Sequence, residues 1–203
     1  AKVGTERFRR AVGQWARFWA EHMRKLGLGA ERLGLLIYDE PHTREAYELL
    51  IEWARAIKAG APEIKLFIDP TPRKPDGLLE MVQHMDILCP NRIYWLGMDW
   101  MADFYRRLRK QGKWLWMYSC SGPTRSFDPY LYYLLQEWHV FAEGGNGSCF
   151  WAFADNRGKS AWNDFVAPAP GPYCPMYLDE ESVTDAKWME AISCLLYTSP
   201  SPR

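Results

Sequence analysis

The residues best suited to chemistry are two adjacent carboxylates, Asp39 and Glu40, between an apolar run at residues 35–38 and Pro41. Adjacent carboxyl groups that are buried away from water are costly to ionise, and each shifts the pKa of the other. Shifted pKa values of this kind suit general acid and base catalysis. The apolar run predicts a strand over 33–39 that is covered on both faces, and the proline ends its ladder. The sequence therefore predicts an acid pair at the end of a buried strand.

Regular strand geometry would separate these two acids. Consecutive side chains of a strand point to opposite faces, so Asp39 and Glu40 converge on one ligand only if the backbone twists or bulges there. The charge of Asp39 would then help to keep Glu40 protonated, as a proton donor must be. The alternative is structural: one acid caps the following helix, whose first turn favours negative charge. That alternative accounts for one acid but not for both.

Helical and strand patterns alternate along the chain around the acid pair. An amphipathic helix is predicted over 6–26, ended by Gly27, and a second over 43–58 with Thr43 as its N-cap. The predicted buried stripe of the first helix is Phe8, Val12, Trp15, Phe18, Trp19, Met23 and Leu26. Later strands are predicted at 64–68, 86–89, 114–118 and 148–153, with helices at 77–84, 99–111, 129–142 and from about 182 onward.

This order predicts an α/β fold. Strands that are each followed by a helix indicate right-handed βαβ units and a parallel sheet, which either a (β/α)8 barrel or a doubly wound open sheet provides. The barrel is favoured because neither G-x-G-x-x-G nor G-x-x-x-x-G-K-[ST] follows any predicted strand. Taking 148–153 as the eighth strand makes 33–39 the fourth. We therefore predict a truncated TIM-type barrel with strands four to eight present, and barrel active sites form where the acid pair lies.

Composition narrows the range of partners. The 203 residues carry 25 basic and 25 acidic side chains without a basic stripe, which argues against nucleic acid, and no apolar run is long enough to span a membrane. With 11 Trp and 11 Tyr, the chain suits a site for ring-shaped ligands, although a large aromatic core is the alternative. The cysteines lack the spacing of a metal site, so neither a metal nor another cofactor is predicted.

Several segments resemble the catalytic domain of glycoside hydrolase family 123 and the uncharacterised domain family grouped with it. The segment 18–41 combines a helix, Gly27, a strand and the Asp-Glu-Pro triplet. Further matching segments, in order, are 86–90 (DILCP), 113–118 (KWLWMY), 150–153 (FWAF), 177–179 (YLD) and 182–183 (SV). The resemblance covers most of residues 15–193. It implies a glycosidase whose partner is an oligosaccharide or glycoconjugate substrate.

The resemblance also implies separate roles for the two acids. Members of the family cleave a terminal β-N-acetylgalactosaminide with retention, because the acetamido oxygen of the substrate attacks its own anomeric carbon; such enzymes need no protein nucleophile. By resemblance, Glu40 is the general acid and base at the glycosidic oxygen. Asp39 would orient the 2-acetamido group and stabilise the cationic intermediate.

Three aromatic residues are predicted substrate contacts. Tyr118 ends predicted strand seven, where its phenol would bond the acetamido carbonyl, and Trp151 in strand eight would support a sugar face. Trp162 lies in a loop after that strand and would close over the substrate. Core packing is the alternative for each of them. His42, beside the acids, is expected to contact the start of the helix rather than to take part in catalysis.

Both ends of the chain are expected to differ from the ends of the natural protein. Residues 194–203 resemble the in-frame translation of a sequencing adapter, a contaminant of genes assembled from environmental bacterial DNA. Residues 1–193 would then be the C-terminal part of a glycosidase-like catalytic domain that is inactive by itself. A missing N-terminus leaves cytoplasmic, periplasmic and secreted locations open.

Two other functions stay open: a glycosidase for a different sugar and a non-catalytic carbohydrate-binding barrel.

Overall fold

The computed structural model describes residues 1–120 and 130–151. In chain order the elements are α1 (Glu6–Lys25), β1 (Gly34–Leu36), α2 (Arg44–Gly60), β2 (Lys65–Ile68), α3 (Leu78–Gln83), β3 (Ile87–Leu88), α4 (Arg92–Gly97), α5 (Asp99–Lys110), β4 (Trp114–Cys120), α6 (Leu135–Ala142) and β5 (Gly147–Trp151). A 3-10 turn precedes β1, and a turn of π-helix leads into α6. Within these residues the alternation is as predicted, with α4 as a helix that the sequence pattern missed, and the helix predicted from about residue 182 lies outside them.

All neighbouring strands pair in parallel, in the order β1-β2-β3-β4-β5. The chain divides into two compact units, residues 1–115 and 116–203. The first unit holds β1, β2, β3 and the first two residues of β4, whereas the rest of β4 pairs with β5 in the second. This confirms the predicted α/β class. Strands that pair in chain order are expected of consecutive strands in a (β/α)8 barrel, whereas a doubly wound sheet reverses its order.

Small residues let α1 and α2 approach closely in the first unit. Gly13 of α1 lies against Gly60 of α2, and a Cβ placed on Gly60 would overlap the Gly13 backbone. Ala16 and Ala20 are buried on the same face of α1. The buried face of α1 therefore combines small residues, which allow this close approach, with Phe8, whose ring packs edge-on against Trp53 of α2.

That close packing corrects the predicted orientation of α1. Four members of the predicted buried stripe are exposed: Trp15, Phe18, Trp19 and Leu26. Phe8 and Val12 are buried as expected, and Gly27, with a φ of +74°, follows the helix end as predicted. The exposed large side chains thus follow a second face of α1, whereas the buried face combines Phe8 and Val12 with the small residues Gly13, Ala16 and Ala20.

The strand before the acid pair is shorter and less covered than predicted. β1 comprises three residues instead of 33–39, and Leu36 is 46% exposed. β1 stands at the end of the strand order and pairs only with β2 among the described residues, so it is not a strand covered on all sides. The prediction of a fully buried strand was therefore wrong, and the acid pair lies in the bend that follows it.

A buried amide organises the second unit. Gln136 of α6 donates from Nε2 to Ser148 Oγ at 2.7 Å and to the Cys149 carbonyl oxygen at 2.6 Å. Ser119 Oγ donates to Gln136 Oε1. Because Ser119 belongs to β4 and Ser148 to β5, this one side chain ties α6 to both strands.

The described helices also bear on membrane association. None of those within 1–120 and 130–151 combines the length and apolarity that a membrane crossing requires.

Candidate active site

The acid pair follows β1 in a bend with unusual backbone geometry. Glu40 has a φ of +47° and is the one non-glycine residue with positive φ in the described ranges. This left-handed region disfavours side chains with a Cβ, and such residues cluster at functional sites. Asp39 is exposed and Glu40 half-buried. The chain therefore departs from strand geometry at the acids, as convergence of two consecutive side chains requires.

The loop after β2 holds the strained Glu40 peptide from both sides. Asp69, the first residue after β2, is 7% exposed, and its Oδ1 accepts the Glu40 N–H at 3.1 Å. The hydroxyl of Thr71 donates to the Glu40 carbonyl oxygen at 3.3 Å, and its N–H donates to the Pro41 carbonyl oxygen at 3.1 Å. These long-range hydrogen bonds offset the cost of the left-handed conformation.

Strand pairing explains why Asp69 reaches the acid pair. β1 and β2 are parallel neighbours, with Leu36 opposite Phe67. Parallel strands bring their carboxyl ends to the same edge of a sheet, so the segments after Leu36 and Phe67 leave the sheet side by side. Asp39 and Asp69 consequently meet although thirty residues separate them in the chain.

Burial and a neighbouring acid control the protonation of Asp69. Loss of water raises the pKa of Asp69 to about 7, the Glu40 N–H opposes this rise, and the charge and hydrogen bond of Asp39 add to it. No Lys or Arg of the described residues is among the groups that shift this pKa. Burial without a neighbouring cation therefore favours the protonated form of Asp69.

The interior of the first unit holds two buried phenols, of which that of Tyr105 interacts with Asp69. Tyr47 of α2 and Tyr105 of α5 are almost completely buried, and their hydroxyls have no hydrogen-bond partner in the described part of the chain. Burial raises the pKa of Tyr105 well above its ordinary value, and Tyr47, Cys89 and Asp69 contribute to that shift. Asp69 therefore lies between an exposed acid on one side and a largely dry interior on the other.

The structure places the remaining predicted residues as follows. Tyr118 of β4 is buried and lies opposite Cys149, whereas Trp151, the last residue of β5, is 55% exposed. Both belong to the second unit. Trp162 lies outside the described residues. The exposed ring of Trp151 suits a surface contact, and the burial of Tyr118 is typical of core packing.

The alternative role of the acids in capping is not adopted. Thr43 is the N-cap of α2, and its Oγ1 accepts the Ala46 N–H at 3.3 Å, as predicted. His42 Nδ1 lies 3.0 Å from the Glu40 carbonyl oxygen, so this imidazole contacts the acid segment just before the helix. Neither Asp39 nor Glu40 occupies the N-cap position, which leaves both carboxyl groups for other contacts.

Asp69 is the residue of this cluster that sequence reasoning missed. Its signal was present, because Ile68-Asp69-Pro70 repeats the order of apolar strand residue, acid and proline around the predicted pair. A search for acids at every predicted strand end would have found it. A search for metal sites finds no group of three or more His, Cys, Asp or Glu side chains arranged to hold an ion in residues 1–120 and 130–151.

Comparisons with known proteins reveal similarity in fold. No family model and no curated protein matches the chain. An endo-β-1,4-mannanase from Thermotoga petrophila is similar with a TM-score of 0.50 and 14% identity, over 98% of this chain and 52% of the mannanase chain. The hyperthermostable endo-1,4-β-D-mannanase from Thermotoga petrophila RKU-1, solved with maltose and glycerol, gives a TM-score of 0.51 and 14% identity, over 94% and 66%.

These similarities concern the architecture alone. The chain spans between half and two thirds of the length of the two mannanase chains. At 14% identity the match shows a fold and not a substrate. The α/β arrangement is similar to TIM-barrel glycoside hydrolases and consistent with a truncated barrel of that type.

Proposed function

We propose that this protein is a retaining glycosidase that removes a terminal β-N-acetylgalactosamine. The observation that carries this proposal is the Asp39-Glu40 pair after a parallel strand, with Glu40 held in a strained conformation by Asp69. The fold similarity to glycoside hydrolases supports a glycosidase scaffold. The choice of sugar rests on the resemblance to glycoside hydrolase family 123.

The proposed reaction uses the substrate as its own nucleophile. The acetamido oxygen attacks the anomeric carbon, the glycosidic C–O bond breaks, and Glu40 gives its proton to the departing oxygen. Asp39 accepts a hydrogen bond from the acetamido N–H and stabilises the cationic ring that forms. Water then attacks the anomeric carbon, the bond from that carbon to the acetamido oxygen breaks, and Glu40 takes up a proton from the water, which restores the acetamido group and the acid with the configuration retained.

Hydrolysis of aryl N-acetyl-β-galactosaminides by the whole protein tests this proposal. We expect Glu40→Gln to lower kcat/KM by about a hundredfold or more, because an amide cannot donate the proton. The loss should be smaller for a dinitrophenyl substrate, whose leaving group needs little protonation. Glu21→Gln removes one charge from the exposed surface of α1 and serves as the matched control. Unchanged turnover in Glu40→Gln would refute the role of Glu40.

A different sugar is the second candidate, because both similar structures are mannanases by name. A panel with β-1,4-mannan, aryl mannosides and aryl galactosides distinguishes the two substrates. Cleavage of these together with inert N-acetyl sugars would overturn the acetamido-assisted mechanism and retain the glycosidase. Binding of sugars by calorimetry without hydrolysis at any pH would instead identify a non-catalytic carbohydrate-binding barrel.

A further inference from the structure

We propose that Asp69 is a positioning residue that shares one proton with Asp39 while it holds the Glu40 peptide in place. This inference rests on the proposed function of the Asp39-Glu40 pair. Asp69 itself touches no substrate in this scheme. Its role is to keep Asp39 ionised and oriented and to fix the backbone from which the Glu40 acid projects.

The geometry gives the Asp69 carboxyl two tasks. Its Oδ1 accepts the Glu40 N–H at 3.1 Å, and the carboxyl is also hydrogen-bonded to Asp39. Two carboxyl groups form such a bond only when one of them carries a proton. An Asp69 that accepts at Oδ1 and donates a proton from its other oxygen satisfies both contacts at once.

The surroundings decide which of the two acids carries the proton. Asp69 is buried, whereas Asp39 is exposed and solvated by water. The titratable side chains shown to interact with Asp69 are Asp39 from the bend, which raises its pKa, and Tyr105 from α5, whose pKa Asp69 helps to raise. Each of these is neutral or anionic near neutral pH, so none of them stabilises a second negative charge. Of the two acids, burial therefore favours Asp69 as the one that holds the proton.

This distribution of charge serves the proposed chemistry. An anionic Asp39 accepts the acetamido N–H of the sugar and faces the cationic intermediate. The hydrogen bond from Asp69 fixes the direction of the Asp39 carboxylate. When Asp69 loses its proton at higher pH, two like charges lie within hydrogen-bond distance and repel each other. Activity should then fall as pH rises through the ionisation of the pair.

Asp69→Asn is the variant that separates a proton-sharing role from a purely structural one. Asparagine keeps an oxygen for the Glu40 N–H and supplies a permanent N–H donor for Asp39, so it imitates the protonated acid at every pH. Asp69→Leu keeps the branched shape of the side chain, although it is larger, and provides neither contact. We expect Asp69→Asn to retain kcat within about threefold at pH 5 and to move the alkaline fall in activity upward by about one pH unit or more. Asp69→Leu should lose about a hundredfold in kcat/KM at every pH.

A measurement that does not depend on hydrolysis tests the pair directly. In the chain labelled with carbon-13 at its Asp carboxyl groups, the signal of Asp69 is followed by NMR from pH 3 to pH 9, with exposed Asp103 as the reference. We expect the Asp69 signal to change near neutral pH and the Glu40 amide proton to change with it. Asp39→Asn should lower the midpoint of Asp69, because it removes the neighbouring charge.

The outcomes distinguish this inference from the proposed function. An Asp69 midpoint in the ordinary range for aspartate, or one that Asp39→Asn leaves unchanged, overturns the sharing of a proton. An alkaline limb that stays in place in active Asp69→Asn also overturns it. Absence of hydrolysis, together with an Asp69 midpoint near neutral pH that responds to Asp39→Asn, instead refutes the glycosidase and leaves the proton-sharing pair established.

Discussion

Two buried polar side chains, Asp69 in the first unit and Gln136 in the second, differ in how their surroundings satisfy them. The Gln136 amide is neutral, and its oxygen and nitrogen both have partners, in Ser119, Ser148 and the Cys149 carbonyl. Asp69 can ionise, has no cation among the groups that shift its pKa and lies near phenols without a hydrogen-bond partner in the described residues. The hydrogen bonds of Gln136 offset the free energy that its burial costs, whereas the burial of Asp69 lowers the free energy of unfolding.

The difference indicates what each cluster is for. A neutral network in which every polar group has a partner fixes the register of the elements it joins, and no unpaired group has to be stabilised elsewhere in the fold. An acid buried beside another acid, next to a strained peptide, lowers the stability of the folded state and is retained where a function requires it. We therefore infer a structural role for the Gln136 cluster and a functional role for the Asp69 cluster, and three measurements test this inference.

The largest expected effect is a dependence of stability on pH that arises from Asp69. Its pKa is about 7 in the folded chain and near 3.8 when unfolded, so the folded state binds more protons between these values. The free energy of unfolding should then fall as pH rises from about 4 to about 7, by at most roughly 4 kcal/mol. Urea unfolding of the chain at pH 4, 5.5 and 7.5 measures this fall.

The matched variant for that measurement is Asp69→Asn. It lacks the titration and should therefore match the original chain at pH 4 and exceed it in stability at pH 7.5. Asp103→Asn removes an exposed acid of α5 and serves as the control, for which the two curves should stay close together. If the stabilities of Asp69→Asn and the original chain run parallel across the whole range, Asp69 does not hold a proton in the folded state.

The second prediction concerns the neutral network. Gln136→Leu removes three hydrogen bonds and leaves the buried Ser119 hydroxyl, the half-buried Ser148 hydroxyl and a carbonyl oxygen without the amide, which should cost about 2 to 4 kcal/mol of unfolding free energy. The loss should be equal at pH 5 and pH 7.5, since no group of this network titrates there. Glu137→Ala, on the exposed face of α6, is the control. A loss that varies with pH would remove the contrast between the two clusters.

Local sequence signals predicted the elements better than their surroundings. Thr43 and Gly27 act at the helix ends as expected, because capping depends on residues adjacent in the chain. The exposure of Trp15 and Phe18 was not predictable from periodicity, because it depends on the close approach of Gly13 and Gly60, forty-seven residues apart. Which apolar face is buried is a property of the partner as much as of the helix.

The candidate site divides in the same way. Asp39 and Glu40 were recognisable because an acid pair after an apolar run is a local pattern. Their dependence on Asp69 comes from the parallel pairing of β1 with β2, which brings residues that are distant in sequence to one edge. The left-handed conformation of Glu40 is likewise sustained by Asp69 and Thr71 rather than by any preference of glutamate. Neither fact is encoded within the segment that carries the acids.

The smallest expected effect isolates the strain at Glu40. Glycine adopts a φ of +47° without the steric cost that a Cβ imposes, so Glu40→Gly should be more stable than Glu40→Ala by about 1 kcal/mol. Both variants lack the carboxyl group, and their difference in urea unfolding therefore reports the backbone alone. Both should also lose the proposed hydrolytic activity. If Glu40→Gly is more stable than Glu40→Ala, the backbone of residue 40 is strained, and the acid pair is kept at the expense of stability. Equal stabilities of the two variants would show that this backbone is not strained.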